Sequence, residues 1–177
     1  PLAKVLETSK ILAEANRAVV SLAPALAADP PDGVIVAGFG DPGLAGLCAI
    51  LTCPVTGIAE AGMAAAARHG RFVVVTTTDR LVDAIAVKAA AYGHGKAFGG
   101  VRLTQGDAAA LTADPPALLA ALRLACREAI AREGADAIVI GGGPLAVAAR
   151  ALAAEMPVPL IEPVPEAIHL ALARAAY

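Results

Sequence analysis

The pattern that most constrains this chain is a recurring run of branched apolar residues with no polar residue inside it, followed by a small-residue turn and an alanine-rich stretch. Val34-Ile35-Val36-Ala37-Gly38, Phe72-Val73-Val74-Val75-Thr76 and Ile138-Val139-Ile140-Gly141 all have this form. A strand wet on one face alternates polar and apolar residues, whereas uninterrupted Val/Ile runs suit strands covered on both faces, as in a parallel sheet wrapped by helices. The expected class is α/β. The expected order is a helix from Thr8 or Ser9 to Ala28, strand 34–38, helix 43–51, strand 54–58, helix 60–68, strand 71–76 and helix 79–91. Strand 97–103 follows, then a helix capped by Asp114 with Pro115 and Pro116 at its start and ending near Arg132. Strand 137–141, helix 144–154, strand 158–161 and helix 165–175 complete the chain.

Composition removes several function classes. At 177 residues and 58% hydrophobic content, the chain can bury one core or two small lobes. Its net charge is -2, and the densest basic cluster, Arg68-His69-Gly70-Arg71, is too short to track a phosphate backbone, so nucleic acid is not an expected partner. A mean hydropathy of +0.68 raises the question of a membrane. The uncharged stretch 42–59 is divided by Pro42, Gly43, Gly46, Pro54 and Gly57, and no span is expected there. Cys48, Cys53 and Cys126 are odd in number and contain no C-x-x-C, which fits small buried side chains in a reducing, cytoplasmic setting better than disulfides or zinc. His69, His94 and His169 are scattered, so no metal site is expected. A charged fraction of only 17% leaves room for a homo-oligomeric surface.

The strand–turn–helix units repeat. Asp32-Gly33-Val34-Ile35-Val36-Ala37-Gly38, with its turn Phe39-Gly40-Asp41-Pro42-Gly43, is echoed by Asp136-Ala137-Ile138-Val139-Ile140-Gly141-Gly142 and the turn Gly143-Pro144. Each unit is followed by a proline-led strand, CPVTGIAEA in one case and VPLIEPVPEA in the other. The repeat predicts two pseudo-symmetric lobes with Gly38 and Gly142 at equivalent strand ends, where parallel sheets bind ligands. The first turn spells G-x-G-x-x-G, with Glu60 at a dinucleotide-like distance, but Pro42 removes an N–H that a pyrophosphate would need. A small carboxylate between two such turns suits both copies.

Taken together, DGVIVAGFGDPGLAGL, PVTGIAEA, RFVVVTTTDRLV, GVRLT and GADAIVIGGGPLAVAARALAAEMPVPLIEPVPEAI resemble the aspartate/glutamate/hydantoin racemase superfamily, closest to its hydantoin and allantoin racemase branch. The resemblance implies two flavodoxin-like lobes, the first comprising residues 1–70 with 156–177 and the second residues 71–155, and a cleft between them. It also implies an N-terminal strand that would precede Leu2. The implied activity is cofactor-independent racemisation at a carbon next to a carboxyl or carbonyl group, with one cysteine from each lobe. Here those two positions are Gly38 and Gly142, and neither carries a proton. The superfamily's decarboxylase branch, which keeps one cysteine on the second lobe, meets the same obstacle at Gly142.

If proton transfer persists, carboxylates must perform it. Glu162, which ends the last strand, and Asp41, in the first turn, are the expected catalytic residues, with Glu60 and Asp79 as further candidates. The ligand, a small carboxylate or cyclic ureide, is expected against Gly38, Phe39, Gly40, Thr76, Thr77, Gly142, Gly143 and Pro144. A decarboxylase-like lyase of the same superfamily stays open as alternative chemistry, and two other readings compete: a carboxylate-binding protein that has lost catalysis, and a nucleotide-binding domain. The latter is disfavoured by Pro42 and by an aromatic content of 3%.

Overall fold

The computed structural model describes residues 2–142 and 145–176. Its described strands form two wholly parallel sheets. In the smaller, β1 (Val34–Val36) pairs with β2 (Val55–Gly57), with Val34 opposite Val55 and Ile35 opposite Thr56. The larger contains β3 (Phe72–Thr76), β4 (Phe98–Leu103), β5 (Ala137–Ile140) and β6 (Leu160–Ile161) in the order β4-β3-β5-β6.

The unbroken apolar strands have the expected cause. On one face of the larger sheet, Phe72, Val74, Ala137 and Val139 pack against α4 (Ile58–Ala67) and α5 (Val82–Ala91). On the other, Val73, Val75, Ile138 and Ile140 pack against α7 (Pro115–Glu133) and α8 (Ala146–Ala153). The smaller sheet sets Val36 and Val55 against α3 (Leu44–Ile50), with Val19 of α1 (Leu2–Val20) and Ala23 of α2 (Ala23–Ala28) beyond. Helix α4 joins the two halves. It is apolar nearly all round, as a helix buried on most sides must be, and α9 (Pro163–Ala175) lies along it. Gly62 allows this approach: a Cβ there would stand 3.3 Å from both Pro163 and Val139.

Several expectations change. The first helix begins at Leu2 and breaks at Ser21–Leu22, so Thr8 and Ser9 lie inside it rather than at its cap. The stretch Lys10–Ala28, which by length and hydropathy alone could cross a membrane, straddles that break and is two helices rather than one. A short helix that the sequence pattern does not announce, α6 (Ala108–Ala113), is started by Asp107, whose carboxylate accepts from the Ala110 N–H. The division expected at residue 156 also moves. Strand β6 stays with the larger sheet, Leu160 opposite Ile138 and Ile161 opposite Val139, because the edge of β5 needs partners for its backbone groups. Only α9 crosses to the smaller sheet.

Candidate functional site

The turn after β1 is organised by Asp41. This residue has φ of 49°, in the left-handed region that β-carbon-bearing residues rarely occupy, and it is buried. Its carboxylate accepts from the Ala59 N–H at 2.9 Å, the Glu60 N–H at 2.7 Å and the Tyr92 hydroxyl at 2.6 Å. Ala59 and Glu60 begin α4, whose N-cap, Gly57, has no side chain to offer. Asp41 therefore caps α4 from a distance, and a Cβ on Gly57 would fall inside the Asp41 carboxyl group. Tyr92 and Lys88, which donates to the Asp41 carbonyl at 3.4 Å, bring α5 to the same turn. Burial pushes the Asp41 carboxyl up from its ordinary range against the downward pull of Tyr92, Ala59 and Glu60, and burial beside Asp41 raises the Tyr92 phenol. This carboxylate holds the turn together, with its two oxygens engaged by Ala59, Glu60 and Tyr92.

Glu162 is also committed elsewhere. Both its oxygens accept from Nε of Arg150 on α8, at 2.9 and 3.2 Å, with the arginine largely exposed. It pairs with that arginine and does not line the cleft described below. Glu60 forms a two-pronged pair with Arg174 of α9, at 2.6 and 3.1 Å, and also accepts from the Gly57 N–H. Asp79 opens a single 3-10 turn ahead of α5.

The ends of β3 and β5 are tied by Thr76. Its buried hydroxyl donates to the Gly141 carbonyl at 2.8 Å and accepts from the Thr78 N–H at 3.3 Å. Thr76 thus shapes the site from beneath, its hydroxyl held by Gly141 and Thr78. Thr77 and Thr78 stand above it, half-buried, at the mouth of a cleft of about 580 Å³. Gly141, Gly142 and Leu145 form one wall and α6 the other. Thr78 makes no side-chain capping bond to the turn it precedes. The Gly142 N–H donates to the Ile140 carbonyl at 3.1 Å. Gly143 and Pro144 lie outside the described residues.

The cleft is thus built, among the described residues, from the second half of the chain. Gly38, Phe39 and Gly40 do not line it. Phe39 instead packs between the two halves, against both the α4–α9 contact and the core beneath α4 and α5. A Cβ on Gly141 would meet its ring at 3.1 Å, which brings the first turn to the back of the cleft wall. The two positions that carry cysteine in the resembled superfamily differ in what they tolerate. Gly38 has an ordinary backbone, and a Cβ there would meet only the Pro42 ring, at 3.1 Å; Gly142 has φ of 153°, where any side chain is strained.

None of the cysteines reaches the cleft. Cys126 is buried within α7, and burial pushes its thiol up to about 12. Cys48 stands exposed on α3, contrary to its expected burial. No charged or titratable side chain lines the cleft among the described residues. Of the residues missed in the sequence, Thr78 was signalled by its place in the Thr76-Thr77-Thr78 run. Tyr92 carried no local signal, since its partner lies 51 positions away.

Residues 3–171 match the family model described as Asp/Glu/Hydantoin racemase. A hydantoin racemase from Paenarthrobacter aurescens is 31% identical over 144 residues, covering 81% of this chain and 61% of that protein, so the chain spans about three fifths of that relative's length. In structure, an allantoin racemase from Klebsiella pneumoniae superposes with TM-score 0.84 at 31% identity, over 93% of this chain and 68% of that one. An allantoin racemase from Pseudomonas fluorescens does so with TM-score 0.76 at 26% identity, over 96% and 86%. Its parallel sheets, the cleft at their strand ends and these likenesses agree, and the chain belongs to the Asp/Glu/hydantoin racemase family.

Proposed function

We propose that this chain is an isomerase of the hydantoin and allantoin racemase type, acting without a cofactor on a small uncharged cyclic ureide at the carbon next to a ring carbonyl. The observation that carries the reading is the pair Thr77 and Thr78 at the end of β3, lining with Gly141 and Gly142 a cleft that has no charged side chain among its described lining. Threonine hydroxyls donate well to a carbonyl oxygen, whereas the carboxylate side chains of aspartate or glutamate would meet no counter-charge there.

The chemistry follows from the electron flow. When the C–H bond next to the carbonyl breaks, its electron pair moves to the carbonyl oxygen, and the Thr77 and Thr78 hydroxyls stabilise the resulting oxyanion. With no acid or base among the described lining residues, solvent water takes the proton and returns one to either face of the planar intermediate. Racemisation is the net result.

The test is proton NMR in deuterated water with allantoin, 5-substituted hydantoins, aspartate and glutamate, following the α-proton. The ureides are expected to exchange faster with protein than without it. Thr77→Val is expected to slow that exchange on the order of a hundredfold, and the acidic amino acids to remain untouched. Exchange at the protein-free rate with a ligand demonstrably bound would overturn the reading. It would favour a second one, a binding homologue without turnover, which draws its support from the engagement of Asp41 and Glu162 by other partners and from glycine at positions 38 and 142.

A further inference from the structure

A second cavity, of about 560 Å³, lies beyond α6 and between the start of α7 and α8. The two cavities share Thr112 as a wall. They also share the opposite bank: Leu145 lines the first, and Val147 and Ala148 line the second, so both follow one seam between the α6–α7 corner and the start of α8. The Thr112 hydroxyl donates back to the Ala108 carbonyl at 2.7 Å, which leaves the junction without a free proton donor among the described residues.

The second cavity is built for hydrocarbon. Its walls include Pro115, Pro116, Leu119, Val147 and Ala151, and Thr112 supplies the one side-chain hydroxyl among the described lining. The start of a long helix normally offers several N–H groups to an anion. Here Pro115 and Pro116 have none, the Ala117 N–H is taken by the Asp114 carboxylate at 3.1 Å, and the Leu118 N–H by the Asp114 carbonyl at 2.9 Å. Every backbone donor in the first turn of this helix is absent or occupied.

We infer that the ligand of the Thr77–Thr78 cleft carries an unbranched apolar tail that passes Thr112 and lies in the groove between α7 and α8. The inference rests on the cleft proposed above as the binding site and narrows its substrate class to ring carbonyl compounds with a long hydrocarbon substituent. Ala151 is exposed and lines only the second cavity, so a larger side chain there shortens the tract without touching the cleft.

The experiment measures, by calorimetry, binding of 5-n-alkyl hydantoins from methyl to hexyl, and of the matching 2-alkylmalonates, to the wild-type chain and to Ala151→Leu and Thr112→Leu. Once the tail passes Thr112, affinity is expected to rise about fourfold per methylene. Ala151→Leu is expected to leave the methyl compound unchanged and weaken the hexyl compound at least tenfold, and Thr112→Leu to impose the loss at a shorter tail. Affinity independent of tail length, no binding by either series, or equal hexyl binding by wild type and a folded Ala151→Leu would each overturn the inference. Following α-proton exchange in the same hydantoin samples separates the two proposals. Tail-dependent binding without exchange upholds the tail and sinks the isomerase, and exchange without tail dependence does the reverse.

Discussion

Asp41 concentrates three donors on one buried carboxylate in a backbone conformation that favours glycine. Its carboxyl is raised by burial, so the folded chain holds a proton there more tightly than the unfolded chain does. The sign follows from linkage: this contribution to stability is fully present below the unfolded value of about 3.8 and is lost as pH rises through the higher folded value. Asp41→Asn removes that titration and sets an amide N–H against a backbone donor, at a cost of about 1–3 kcal/mol. In urea unfolding the gap between wild type and Asp41→Asn is therefore expected to be widest at acid pH and to narrow as pH rises. A gap that widens with pH would contradict this linkage. In the sequence, Asp41 stands two residues before the helix expected from Gly43. The helix it caps is α4, 18 residues on, reached only because β1 and β2 pair side by side. Thr76 teaches the same lesson: its position at a strand end was legible, but the Gly141 carbonyl that claims its hydroxyl is 65 residues away.

At the scale of elements, nearly every strand and most helices could be read because their causes are local. Unbroken Val/Ile runs make β3 and β5, and the Asp114-Pro115-Pro116 start with Gly134, at φ of 65°, bounds α7. The Asp114 side chain accepts from the Ala117 N–H, and Asp114→Ala is expected to lower stability by about 1 kcal/mol, read as an earlier thermal midpoint. An unchanged midpoint would mean that the two prolines suffice to start the helix. The misreadings arise where local signals were weak or tertiary contacts intervened. Helix α6 is only six residues long and gives too little periodicity to recognise, and the pairing of β6 with β5 is a tertiary contact that no local signal specifies. The site divides in the same way. Thr77 lies where its strand predicted, whereas the cleft wall that α6 supplies had no sequence signature.

Across the whole molecule, the two sheets are held by α4, by the Phe39 ring and by the last turn of α9. Arg174 spreads its guanidinium over Glu60, the Val55 carbonyl and the Thr56 hydroxyl, joining the end of the chain to β2 and to the first turn of α4. Arg174→Ala is expected to destabilise the fold by about 1–3 kcal/mol, with little recovery in Arg174→Lys, because an ammonium cannot make the forked contact. Denaturation midpoints for the two variants decide this, and a lysine variant equal to wild type would show that charge alone suffices. The partners of this clasp are up to 119 residues apart in the chain. At a synthesis rate of roughly 5–20 residues per second, Thr56 leaves the ribosome on the order of ten seconds before Arg174 does. Through that interval the residues of the smaller sheet lack the contacts that Arg174 supplies, so this fastener is a late addition.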